Sequence, residues 1–143
     1  MQTDHQHLNT LTMMQERHTL ATAAISMFIA IACGAFGAHA LKQSLSAEML
    51  AIWQTAVHYQ MIHGLAMLGL VALWQRYDQK RLGQTALLFL IGTVIFSGSL
   101  YLLAFTGIKW LGAITPIGGV AFLGGWIALL FTALASKPEQ QAS

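Results

Sequence analysis

The sequence has few charged residues: they make up 8% of its 143 residues, whereas a soluble globular domain carries roughly 25%. Apolar residues account for 56% of the chain. So few charges cannot solvate the whole surface of a protein of this size, and we expect lipid to cover part of it. The net charge of +2 forms no basic stripe, which argues against a nucleic-acid partner.

Charged residues are absent from four long stretches, residues 18–41, 49–75, 82–108 and 110–136. Crossing the hydrocarbon core takes about 20 helical residues, and backbone polar groups in lipid must pair within their own segment. The stretches therefore predict an all-α membrane protein with four transmembrane helices in an antiparallel bundle. The predicted helices cover residues 19–41, 47–74, 82–105 and 111–135.

The two ends of the chain are polar, and residues 1–18 and 136–143 are interpreted as tails, the first one flexible. Met13 and Met14 are alternative start sites to Met1. Basic residues favour the cytoplasmic side of a membrane, and five of the seven fall on the side of the two tails: Arg17, Arg76, Lys80, Arg81 and Lys137. The sequence thus predicts a multi-pass protein of the bacterial inner (plasma) membrane with both termini in the cytoplasm.

One cysteine, Cys33, lies within the first stretch, so an intramolecular disulfide is excluded. Residues 17–34 loosely resemble a lipoprotein signal peptide. The apolar stretch continues past Cys33 to Leu41, which favours an uncleaved helix.

Polar residues of the predicted helices gather in the outer half of the membrane. Tyr59, Gln60 and His63 share one helix face, because they are three or four residues apart, and Ser97 and Tyr101 share another. Polar side chains in hydrocarbon turn towards neighbouring helices and bond to one another. These five residues therefore predict an interhelical hydrogen-bond cluster. Secondary candidates at similar depth are His39, His58, Ser99, Thr115 and Pro116.

The role of His63 stays open between a structural bridge and proton or ligand chemistry. A metal site of His39, His58 and His63 is disfavoured, because the spacing of the last two places them on different helix faces. The sequence predicts no metal, no cofactor and no catalytic residue.

Small residues indicate where helices approach closely. Small residues recur every four positions in the first stretch, at Ala30, Gly34 and Ala38. The glycines predicted to serve helix packing are Gly34, Gly37, Gly98, Gly118 and Gly119.

Several motifs, in order along residues 19–134, resemble the YgdD/YwdK-type family of small bacterial membrane proteins, which has a eukaryotic transmembrane relative. They are GAFGAHALK at 34–42, WQTAV at 53–57 with Tyr59, Gln60 and His63, FSGSLY at 96–101, ITPIGG at 114–119 and Gly125-Trp126. The resemblance implies a four-helix plasma-membrane protein. The family is a domain of unknown function, so the resemblance implies no reaction, substrate or cofactor.

Three classes of function remain open. The first is a structural or membrane-organising protein that packs with lipid and other helices, including as a homo-oligomer, and the sequence favours this class. The second is a carrier or channel for protons or a small solute, using the outer-half polar cluster around His63. The third is a membrane-embedded enzyme, which the lack of a carboxylate in any of the four stretches disfavours.

Overall fold

The computed structural model describes the backbone of residues 2–135 and the side chains of residues 15–135. Within these limits the chain is helical, with short turns between the helices. The helices are α1 (Gln2–His39), α2 (Ala47–Leu73), α3 (Gln79–Gly92), α4 (Gly98–Thr106) and α5 (Thr115–Ala135). A π-helical segment, Thr93–Ser97, joins α3 to α4, and short 3-10 helices occupy Leu41–Gln43 and Lys109–Ala113.

Within residues 2–135, four segments are long and apolar enough to cross a membrane, which agrees with the predicted number of helices. They are Gln15–Gln43, Ala47–Leu73, Gln79–Thr106 and Lys109–Ala135. Each segment is predominantly helical because lipid offers its backbone no hydrogen-bonding partner. The fold is an all-α, four-helix membrane protein, as the sequence predicted.

Polar caps and a glycine set the limits of the middle spans. The Ser46 hydroxyl accepts a hydrogen bond from the backbone N–H of Met49 at 3.2 Å and so caps α2, as serine commonly does. The Asp78 carboxylate caps α3 by accepting from the backbone N–H of Arg81 at 2.8 Å. Gly107 ends α4 in a left-handed conformation with φ 71°, which glycine adopts without steric cost.

The bundle is ordered so that α1 packs mainly on α2 and α5 packs mainly on α3, while α2 also contacts α3, the π-helical segment and α4. The first and fourth spans are consequently the outer ones. Only 22% of the most apolar part of each outer span is buried, against 39% and 44% for the second and third spans. The outer faces carry exposed apolar side chains such as Phe28 and Leu134, as expected of surfaces that contact lipid.

The structure differs from the sequence prediction at the first tail. α1 begins at Gln2, where a polar tail without a helical period was predicted over residues 1–18. Neither glycine nor proline occurs before Gly34, so no residue in this stretch favours an end to the helix. The predicted tail 136–143 lies outside the described residues.

Candidate functional site

His63 lies in the middle of α2 and is buried, with 3% of its surface exposed. Its Nδ1 lies 2.8 Å from the backbone carbonyl oxygen of Tyr59. Its Nε2 accepts a hydrogen bond from the indole Nε1–H of Trp126 on α5, at 3.2 Å. An indole N–H only donates and a carbonyl oxygen only accepts, so this arrangement requires a neutral imidazole that carries its proton on Nδ1.

An aromatic cluster surrounds this imidazole. The ring of His63 stacks on Phe122 of α5, with centroids 3.5 Å apart and planes inclined by 8°. The ring of Phe89 on α3 contacts His63 edge-on, with the two ring centroids 5.2 Å apart. The same Phe89 ring also lies 5.0 Å from the ring of Trp126. One face of the His63 ring and both of its nitrogens are therefore contacted by other side chains or by backbone, in the part of the chain that the structure describes.

Gln60, one turn before His63, connects three spans. Its amide Nε2 donates to the backbone carbonyl of Ser26 on α1 at 3.1 Å. Its Oε1 accepts from the hydroxyl of Tyr101 on α4 at 2.8 Å. We call these three residues the Gln60 bridge. Because the amide is buried, both of its bonds form away from water.

Ser97 connects the π-helical segment to α2, since its hydroxyl donates to the backbone carbonyl of Ala56 at 2.8 Å. Nearby, the hydroxyls of Ser99 and Thr115 lie 2.7 Å apart and join α4 to α5. A π-helical turn disturbs the regular backbone hydrogen bonding, and these hydroxyl bonds cluster where that disturbance occurs.

The predicted cluster of five residues is thus divided between separate contacts. Gln60 and Tyr101 bond directly, whereas Ser97 bonds to Ala56 and His63 bonds to Trp126. The side chain of Tyr59 enters no hydrogen bond with another described residue. Its ring packs at 4.4 Å from that of Phe96 and is 38% exposed. The direction of each side chain and the packing of the helices decide which residues pair, and spacing along the sequence does not predict either of them.

The secondary candidates fall into two groups. Ser99 and Thr115 are bonded to each other, whereas His39, His58 and Pro116 are exposed. Pro116 lies in the first turn of α5, where proline is tolerated. Among the residues whose side chains the structure describes, His, Cys, Asp and Glu form no group of three suited to a metal ion. The absence of a cofactor and of catalytic residues stays a prediction.

The glycines predicted to serve helix packing differ in how closely another helix approaches them. A Cβ on Gly118 would lie 2.8 Å from Cα of Phe96 and closer still to its backbone nitrogen, and one on Gly37 would lie 2.7 Å from the Trp53 ring. A Cβ on Gly34 would meet Val57 at 3.4 Å. By contrast, a Cβ on Gly98 would meet no described atom within 4 Å, and one on Gly119 would make only ordinary contact.

Several residues that complete the site lie outside the cluster predicted from the sequence. They include Trp126, which belongs to one of the family motifs, and Phe89 and Phe122. Gly92 and Gly125 were also missed, although a Cβ on either would overlap the ring of Phe122 or Phe89. The available signal was Gly125, since small residues in membrane helices mark places where helices approach closely.

Trp53 forms a further contact between helices. Its indole N–H donates to the backbone carbonyl of Cys33 on α1 at 2.9 Å, and its ring lies 4.6 Å from that of Tyr101. Together with the Gln60 bridge, this contact joins α1, α2 and α4. The side chains of Gln60, His63 and Tyr101, like those of Trp53 and Ser97, therefore bond to their own backbone or to a neighbouring helix. Among the described residues, the buried Ser26 hydroxyl and the buried Trp74 indole N–H have no hydrogen-bond partner.

Comparison with known proteins agrees with this architecture. Residues 33–119 match the family described as "Protein of unknown function (DUF423)". The chain belongs to this family. It is 43% identical over 124 residues to the "UPF0382 inner membrane protein YgdD" of Escherichia coli K12, covering 87% of this chain and 95% of that protein.

Relatives from other bacteria are similar over most of their length. The chain is 45% identical over 107 residues to the "UPF0382 membrane protein SSP2132" of Staphylococcus saprophyticus, covering 75% of this chain and 88% of that protein. It is 44% identical over 111 residues to a "UPF0382 membrane protein" of Staphylococcus epidermidis, with coverages of 78% and 90%. No solved structure matches the chain.

These relatives and the four apolar spans identify the chain as a multi-pass inner-membrane protein, as the sequence predicted. The family carries no assigned enzymatic activity.

Proposed function

We propose that this protein is a structural, membrane-organising component of the inner membrane that acts by packing with lipid and with other helices. The observation that carries the proposal is the use of His63: Nδ1 pairs with the backbone of its own helix and Nε2 with Trp126 of α5. An imidazole that relays protons needs a nitrogen that is free to exchange its proton with water or a substrate. Here Nδ1 is occupied by the backbone of α2, and Nε2 joins α2 to α5.

The Gln60 bridge supports the same function. Its amide group uses a donor towards α1 and an acceptor towards α4. In hydrocarbon, such interhelical bonds hold helices together, since apolar side chains gain little by leaving lipid. The polar residues of the interior thus stabilise the bundle, and the exposed apolar faces of the outer spans are left to contact lipid or further copies of the chain.

Reconstitution into vesicles tests this proposal against a carrier or channel. We expect wild-type protein to give no proton flux above that of protein-free vesicles carrying a trapped pH-sensitive dye. His63→Ala should leave flux unchanged and lower the stability of the bundle in detergent, because it removes the bond to Trp126 and the ring stacked on Phe122. His58→Ala, an exposed histidine on the same helix, is the matched control and should change neither. Wild-type flux that His63→Ala abolishes would establish a carrier instead.

The orientation is part of the proposal: both termini and the turn before α3 face the cytoplasm. The distribution of basic residues supports it. A membrane-impermeant thiol reagent tests it on intact, outer-membrane-permeabilised cells. In a Cys33→Ser background, Gln43→Cys should react and Gln75→Cys should react only after lysis. The reverse labelling pattern would invert the topology.

A further inference from the structure

A cleft of about 420 Å³ opens between α1 and α3, near where the first span begins and the second ends. Its volume lies within the range of about 300–1,000 Å³ typical of ligand sites. Gln15, His18 and Lys80 line the end of the cleft at which the first and third spans begin, which we call its mouth. Leu87 and Leu90 line it further along α3, and Thr19, Thr22, Gln84 and Met67 also contribute to its wall.

The cleft runs along α3, in the direction in which a lipid molecule lies in one leaflet of the membrane. Lys80 and Leu90 are ten residues apart along α3 and the cleft wall, which corresponds to about 15 Å of helix. That is half of a hydrocarbon core of about 30 Å. The cleft thus runs from the level of the headgroups towards the middle of the membrane, and its change from polar to apolar matches an amphiphile with a polar head and a hydrocarbon chain.

The charge around the mouth favours an anionic head. Four basic residues lie at this end of the described bundle: Arg17, Arg76, Lys80 and Arg81. They outnumber the two carboxylates there, Glu16 and Asp78, by two. The Glu16 carboxylate accepts from the Gln75 amide at 3.2 Å, and the Asp78 carboxylate caps α3. Both acidic groups are therefore engaged, and Lys80 is the cation that lines the cleft.

We propose that this cleft binds one anionic phospholipid, with its phosphate near the Lys80 ammonium and an acyl chain along Leu87 and Leu90. Basic pockets between transmembrane helices on the cytoplasmic side bind such headgroups. The inference rests on the proposed structural function, since it names the class of lipid with which the protein packs.

Gly83 offers a way to fill the cleft. It lines the cavity on α3, and a Cβ there would meet Gln15 Oε1 at 3.4 Å, an ordinary contact. Gly83→Leu would therefore fill part of the cleft without overlapping backbone. Gly98→Leu is the matched control, since a Cβ there has no described atom within 4 Å.

Native mass spectrometry of the purified full chain, with phosphatidylglycerol and phosphatidylcholine of equal chain length added in competition, tests the inference. We expect one phosphatidylglycerol bound in preference to phosphatidylcholine. Lys80→Gln should weaken that preference about fivefold, the effect of one charge near a membrane surface. Gly83→Leu should reduce binding of both lipids. Lys109→Gln, which removes a charge from the opposite end of the bundle, and Gly98→Leu should leave binding unchanged.

Equal binding of the two lipids, or binding that Lys80→Gln and Gly83→Leu do not alter, would overturn the inference. So would a dimer without bound lipid that Gly83→Leu disrupts, since a second copy would then occupy the cleft. Because Lys80 is exposed, its substitution does not depend on repacking of the bundle. The flux assay decides the proposed function independently of lipid preference, so the two failures are distinguishable.

Discussion

The indole N–H of Trp126 on α5 donates a hydrogen bond to Nε2 of His63 on α2, across 3.2 Å. α2 and α5 are otherwise joined mainly through the third span, which packs against both. This bond and the stacked ring of Phe122 therefore connect two spans at the centre of the bundle.

Trp126→Phe should destabilise the bundle by about 1 kcal/mol, because interhelical bonds in membranes contribute on average about 0.6 and at most about 1.7 kcal/mol. The phenyl ring retains most of the apolar contact and loses the donor. The free energy of unfolding by sodium dodecyl sulfate in mixed micelles measures the effect. Trp110→Phe is the control, since Trp110 is 64% exposed. Equal stability of the two variants would show that the bond to His63 contributes nothing.

Tyr101→Phe should also lower the free energy of unfolding, by about 0.5–2 kcal/mol, because it leaves the Gln60 Oε1 atom without its donor in a buried position. Tyr59→Phe removes a hydroxyl that bonds to no other described residue and should be nearly neutral. The same unfolding titration compares the two. A larger loss for Tyr59→Phe would contradict the assignment of Tyr101 to the Gln60 bridge.

Gly118→Ala should destabilise the bundle by about 1–3 kcal/mol, the usual cost of overpacking. Its new methyl group would overlap the backbone of Phe96 in the π-helical segment, and backbone cannot move aside as a flexible side chain does. Gly119→Ala, one residue along α5, makes only ordinary contact and serves as the control. Thermal unfolding in detergent should separate the two variants. If both were tolerated, α5 would not pack against the π-helical segment as closely as described.

The four spans could be predicted from sequence because a single physical cause, the cost of charge in hydrocarbon, determines where charged residues are absent. The cap at Ser46 also depends on local sequence alone, since serine just before a helix commonly accepts a hydrogen bond from a free backbone N–H of the first turn. These features depend on composition and on neighbours along the chain.

The side-chain pairings inside the bundle were harder to predict from the sequence. Helical spacing placed Gln60 and His63 on one face, but their partners lie on spans that only tertiary packing selects. Trp126 was missed because its large apolar ring is typical of a lipid-facing residue, although its N–H needs an acceptor. The π-helical segment has no clear sequence signal, and Ser97 at its end bonds to Ala56. Spacing alone thus overstated the cluster of five residues.

Buried polar groups hold the helices of this bundle together, and the protonation state of His63 gives a direct test of this claim. Nitrogen-15 solid-state NMR of the protein in lipid, with histidine labelled in the ring and His63 assigned by loss of its signals in His63→Ala, reports which nitrogen carries a proton. We predict a neutral ring protonated at Nδ1 at neutral pH, with an Nε2 signal that shifts in Trp126→Phe. An imidazolium, a proton on Nε2, or an Nε2 signal that Trp126→Phe leaves unchanged would contradict the claim.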